Sequence, residues 1–167
     1  SSDQTYERAI GTGVIVKRHP HNVGYGSALK TGIREARFNT IVITDADRTY
    51  PFDKVPELIE FKTQGYDLVV GARTGKYYRE SFLKSWLRKI LKFIVEFTTD
   101  REVPDINSGL RVFDKDTILP LMPRLCNTYS FTTSQTLSYM MTGKFVKYIE
   151  IPYLKREGDS KVRMFRD

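Results

Sequence analysis

Thr40-Ile-Val-Ile-Thr-Asp-Ala-Asp-Arg-Thr-Tyr-Pro51 runs from a short apolar, β-branched segment straight into two carboxylates. An apolar run such as Ile41–Ile43, with no polar alternation, predicts a strand buried on both faces of a parallel sheet. Ligands of open α/β sheets sit beyond the carboxyl ends of the strands, which puts Asp45 and Asp47 at the functional edge. If the chain stays extended, both side chains project alike and can reach one hard cation with oxygen ligands. The alternative is a turn in which the aspartates bond their own backbone.

Outward from this strand, helices and strands alternate. Ser1–Thr5 reads as a helix start, with Ser2 or Asp3 as cap, continuing to about Ile10. Val14–Lys17 reads as a strand. His19-Pro-His-Asn-Val-Gly-Tyr-Gly-Ser27 is a glycine turn into a helix carrying Leu29, Ile33 and Ala36 on one face. Its glycines serve either a phosphate or close helix–strand packing, and packing is the commoner use. His19 and His21 lack a third ligand and read as exposed loop residues. Asp53 is placed to cap a helix with Val55, Leu58, Ile59 and Phe61, stopped by Gly65. Leu68–Val70 is the next strand, and Gly71-Ala-Arg73 leaves its carboxyl end. The alternation predicts one doubly wound α/β domain over residues 1–167 with a mostly parallel sheet.

Residues 80–98 predict a long helix with a Lys84–Arg88–Lys92 stripe opposite Leu83, Trp86, Leu87, Ile90, Leu91, Ile94 and Phe97. Such a helix either packs on a core or lies on an anionic membrane surface. Asp105-Ile-Asn-Ser-Gly-Leu-Arg-Val-Phe113 predicts a loop and then a strand. Helices are expected near Asp116–Leu125 and Thr132–Thr142, with a strand over Lys144–Leu154 and a basic tail, Lys155–Arg163.

Composition narrows the function. The 167 residues are 40% hydrophobic and 28% charged, as in soluble globular domains. A single cysteine, Cys126, excludes an internal disulfide and a cysteine zinc cage. No apolar run approaches the roughly 18 residues of a membrane span. A net charge of +7 points to an anionic partner: phosphate, acidic lipid or nucleic acid.

Five motifs then fall in one order: Asn22-x-Gly-x-Gly-x-Ala28, Asp45-Ala-Asp47, Gly71-Ala-Arg73, Asp105-x-x-Ser-Gly-x-Arg111 and Arg156-x-Gly-x-Ser-Lys161. Together they resemble the family 2 glycosyltransferases of A-type fold, in the branch that transfers sugars to polyprenyl phosphates, dolichyl or undecaprenyl. The resemblance implies a nucleotide-sugar donor, Mg²⁺ or Mn²⁺ at Asp45 and Asp47, a polyprenyl phosphate acceptor, and work at the cytoplasmic face of a membrane. Its anionic substrates would meet Arg73, Arg156 and Lys161, with Ser108 and Ser160 as hydroxyl donors. Asp105 would orient acceptor or sugar, or else cap its own Asn-Ser-Gly turn. Attack by an already ionised phosphate oxygen needs no strong base and inverts the anomeric centre.

The sequence also departs from the family. It begins at what resembles the end of an Asp-Gly-Ser-Ser-Asp-x-Thr segment, so a fragment is expected, soluble by itself, without the first strand or any membrane segment that follows the domain in relatives. Thr49 stands where members often have Gln, and Gln135 where relatives often carry an acid. Two other readings remain: a transferase with a soluble saccharide acceptor, and a non-catalytic basic module for anionic lipid or nucleic acid. The nucleic-acid version lacks a recognition helix or stacking platform.

Overall fold

The computed structural model describes residues 5–75, 93 and 95–155. Arg156, Ser160 and Lys161, and most of the 80–98 helix with its Lys84–Arg88–Lys92 stripe and Trp86, lie outside the described residues. The elements are α1 (Thr5–Ile10), α2 (Tyr25–Glu35), β1 (Thr40–Ile43), α3 (Val55–Thr63), β2 (Leu68–Thr74), β3 (Arg111–Asp114), α4 (Lys115–Ile118), α5 (Phe131–Met141) and β4 (Val146–Pro152). Residues 95–99 are helical as well.

The four strands form one sheet in the order β1-β3-β2-β4. β1, β2 and β4 run the same way. β3 is antiparallel to both neighbours, with Ile43 opposite Arg111 and Val70 opposite the same residue on the other side. The doubly wound arrangement follows from the alternation along the strands. Ile41, Ile43, Leu68, Val70 and Phe113 pack with Ile33 of α2 and Phe131 and Tyr139 of α5. Val69, Val112, Ile149 and Ile151 point to the other face, where Leu58 of α3 covers them. Each face is thus roofed by helices, as parallel strands require.

Several expectations change. Val14–Lys17 joins no ladder, and Val14 and Ile15 are exposed, because no described strand lies beside them. β1 is not buried on both faces: its residues alternate, with Val42 exposed, because it is the edge strand of the described sheet. Asp53 does not cap α3. It sits in a 3-10 turn, Phe52–Lys54, that leads into the helix. The helix expected near Asp116–Leu125 stops at Ile118 and continues as a 3-10 segment, Leu119–Arg124, since Pro120 and Pro123 cannot donate helical hydrogen bonds. His19 is half-buried, with its Nε2 3.2 Å from Thr31 Oγ1. The Gly24-x-Gly26 turn serves close packing, though against a loop rather than a strand. A Cβ on Gly26 would overlap the Cys126 carbonyl, and Ser27 N donates to Asn127 O at 3.1 Å.

Candidate active site at the carboxyl edge of the sheet

β1 and β2 both end at one edge of the sheet, and β3, running backwards between them, starts there. The inverted strand therefore delivers the 105–110 loop between Asp45 and Arg73. Register alone places Asp45 across from Gly109, two pairs beyond Ile43 and Arg111.

Asp45 is half-buried. Its Oδ1 accepts a hydrogen bond from the Tyr25 hydroxyl at 3.3 Å, and its carboxylate lies directly on Gly109, where a Cβ would come within 2.8 Å of Oδ2. The Gly109 N–H donates instead to Tyr50 Oη at 2.7 Å. Asp47 Oδ1 accepts both the backbone N–H of Thr49, at 3.2 Å, and its hydroxyl, at 2.5 Å. This is an Asx turn, with Arg48 between them at φ 59°, in the left-handed region, so the chain does not stay extended past Asp47 and that aspartate takes the turn alternative, bonding its own backbone. Thr49 is fully buried, so its side chain supports Asp47 and is not itself presented to a ligand.

Arg73 and Asp105 form a two-pronged pair. Arg73 Nε donates to Oδ2 at 2.7 Å and Nη2 to Oδ1 at 2.9 Å, while the Arg73 backbone N–H also reaches Oδ2, at 3.1 Å. The guanidinium lies over the Tyr153 ring, 5.3 Å from its centroid. Asp105 also accepts the Asn107 N–H at 3.3 Å, so it caps its own turn and orients Arg73 at once. Ser108 is fully buried and its hydroxyl donates to the Gly71 carbonyl at 2.5 Å, tying the loop to β2.

The loop is pinned from below by Arg111, which is completely buried. Its guanidinium donates to the carbonyls of Ser108 and Ile106, each at 2.7 Å, and to Thr136 Oγ1 at 2.9 Å. Burial works against its charge. Gln135 lies beside it, Oε1 3.5 Å from Nη1, with no exposure to solvent. Burial likewise pushes the Tyr50 phenol above its ordinary pKa, so it stays protonated against Gly109.

Of the residues singled out from sequence, Asp45, Asp47, Arg73, Asp105 and Ser108 come together at this edge. Tyr25, Tyr50 and Tyr153, which the sequence reading passed over, lie with them, as do Gly109 and Arg111, which it quoted in a motif without a role. The Ser-Gly-x-Arg spacing carried a signal for two of them, whereas the tyrosines are brought in by long-range packing. No cluster of three or more His, Cys, Asp or Glu side chains occurs among the described residues. A pair of carboxylates would suit Mg²⁺ or Mn²⁺, which take one or two carboxylates and complete their shells with water and substrate phosphate.

The chain is 27% identical over 175 residues to a dolichol-phosphate mannosyltransferase of Pyrococcus furiosus, covering 98% of this chain and 48% of that protein. A dolichyl-phosphate hexose transferase of Haloferax volcanii is 25% identical, covering 99% of this chain and 72% of its own length. The chain thus spans about half the length of the Pyrococcus protein. The fold matches the crystal structure of glucosyl-3-phosphoglycerate synthase from Mycobacterium tuberculosis in complex with Mn²⁺ and UDP-glucose. The TM-score is 0.68 at 19% identity, over 96% of this chain and 58% of that one. Residues 1–121 match the family described as glycosyl transferase family 2. The sheet, the site at its edge and that match agree: this chain belongs to the family 2 glycosyl transferases.

Proposed function

We propose that the chain forms the catalytic domain of an inverting enzyme that moves a sugar from a nucleotide-sugar donor to a polyprenyl phosphate. The observation that carries this is the placement, at one sheet edge, of the Asp45 and Asp47 carboxylates and of an arginine, Arg73, held by Asp105. The relatives named above, which act on dolichyl phosphates, support the acceptor.

In this reading Asp45 and Asp47 would hold Mg²⁺ or Mn²⁺ beside the donor diphosphate, where the ion would supply positive charge to offset that of the departing group. Thr49 fixes the rotamer of Asp47 through its two hydrogen bonds. Asp105 and Tyr153 keep the Arg73 guanidinium aimed before substrate arrives, so less side-chain entropy is lost on binding a phosphate. An ionised acceptor oxygen then bonds to the anomeric carbon from the face opposite the leaving group. The bond to the nucleoside diphosphate breaks with its electron pair. No proton moves, so no base is required, and the complete burial of Gln135 beside Arg111 is consistent with a site that uses none. A membrane surface is the natural partner of such an acceptor. Phe93 and Phe97, exposed and stacked 6.2 Å apart, supply an apolar contact for it.

Asp47→Asn keeps shape and removes charge. It is expected to abolish Mn²⁺-dependent binding of UDP- or GDP-sugars by calorimetry while leaving the melting temperature unchanged. Arg73→Ala is expected to impair transfer of radiolabelled sugar to polyprenyl phosphate by the full chain far more than donor affinity. Equal donor binding by Asp47→Asn and wild type would remove the pair from the site. Wild-type transfer by Arg73→Ala would shift the reading to a soluble acceptor.

A further inference from the structure

Asp45 serves a donor or an ion best if its carboxylate keeps one orientation, and neighbours on different elements bear on that. Gly109 supports it from β3's side without offering its N–H, which Tyr50 takes. The Tyr25 hydroxyl, 3.3 Å from Oδ1, does offer its proton.

We propose that Tyr25 is a positioning residue for the Asp45 carboxylate, an assignment that rests on the donor-site reading above.

Tyr25 is the first residue of α2, and its place is fixed on every side. Gly24 before it has φ 91°, which a larger residue adopts only with strain, and its N–H donates to Asn22 Oδ1 at 3.0 Å. Gly26 after it lies so close to the Cys126 carbonyl that no side chain fits between them. One turn further, Lys30 Nζ donates to Leu125 O at 2.6 Å and Asn127 Oδ1 at 2.7 Å, locking helix and loop together. The same loop supplies Tyr129, whose ring stacks on Tyr25 with centroids 5.6 Å apart and planes 12° from parallel. The phenol therefore has little freedom, and an O–H held this way costs little entropy when it bonds a carboxylate. Burial, reinforced by the Asp45 charge, raises the Tyr25 pKa well above its ordinary value.

One hydroxyl and one glycine thereby bear directly on the carboxylate plane. Neither is an Asp-x-Asp feature, and the motif alone does not contain its own orientation.

The test is Tyr25→Phe in the full chain, which keeps the stacked ring and removes a single oxygen. Binding is read by calorimetry with Mn²⁺ plus UDP and Mn²⁺ plus GDP as probes, beside melting temperature and the kcat and KM of transfer. A hydrogen bond to a charged group supports an expected loss of about tenfold in affinity for whichever nucleotide binds. The loss should appear as a higher donor KM, with the melting temperature held. In an Asp45→Asn background the same change should add little, because it acts through that carboxylate. Wild-type affinity in Tyr25→Phe overturns the proposal. So does an equal loss in the Asp45→Asn background, or a Tyr25→Phe chain that no longer folds. If Asp45→Asn itself binds like wild type, the donor-site reading falls and takes this assignment with it; in the other overturning results that reading stands.

Discussion

A methyl group on Gly109 would lie 2.8 Å from Asp45 Oδ2 and 3.1 Å from Oδ1. Those separations are too short to coexist, and the short Asp45 side chain has only a rotation of its carboxylate with which to respond. Gly109→Ala should therefore leave the fold nearly intact, costing about 1 kcal/mol or less, while weakening Mn²⁺-dependent nucleotide binding about tenfold or more. Calorimetry beside a thermal melt checks this, and unchanged affinity would show that Asp45 tolerates a second orientation. The pair Asp45 and Asp47 was legible in the sequence because a strand signal immediately before them fixed their place on the sheet. Arg73 was legible for the same reason, as the end of Leu68–Val70. Its partner was not: Asp105 lies 32 positions away and meets it only through the inverted strand. Ser108, read as a donor to substrate, spends its hydroxyl on Gly71, a contact that local sequence does not encode.

Helices were more legible than the contacts between them. The 3.6-residue spacing of Leu29, Ile33 and Ala36 placed α2, and all three pack on the core. The same spacing put Phe97 on the apolar face of the 80–98 helix. Within the described part, Val95 is buried, whereas Phe97 and Phe93 are 81% and 68% exposed. Periodicity identifies a broad apolar arc but not which half of it meets the core. An exposed stacked Phe pair contributes little to folding and is available to a bilayer interface. Replacing both Phe93 and Phe97 by Ser should leave the melting temperature within about 2 °C of wild type. It should reduce co-sedimentation of the full chain with anionic vesicles severalfold at both low and high salt. A loss confined to low salt would assign vesicle binding to the basic residues instead.

For the molecule as a whole, the alternation of helices and strands was enough to predict the doubly wound sheet, since each short connection leaves one way to cover both faces. Strand direction was not readable at β3, because Leu-Arg-Val-Phe looks alike run either way. That one inversion assembles the site, and it also creates the buried polar layer beneath it. Arg111 lies in that layer with Tyr148, and Tyr139 and Tyr50 are buried near it. Tyr25, Tyr50, Tyr139 and Tyr148 all have pKa values raised by burial, Tyr148 from 10.0 to about 12. In the unfolded chain these phenols release protons from about pH 10, while the folded chain keeps them. The unfolded state then binds fewer protons, so stability is intact below pH 10 and falls as pH rises through the folded pKa values. Each such tyrosine contributes a slope of at most about 1.4 kcal/mol per pH unit. Tyr139 and Tyr148 hydroxyls make no hydrogen bond of good geometry among the described residues, with only a looser approach to Gln135 and Thr136 respectively, so removing one costs little. Tyr148→Phe should therefore match wild type in stability at neutral pH and exceed it above pH 10, with a shallower decline by about one proton. Denaturant unfolding of both proteins from pH 8 to 11.5, with tyrosinate absorbance read in parallel, decides it. Ionisation of Tyr148 at ordinary alkaline pH in a chain whose circular dichroism is still native would mean that water reaches this layer.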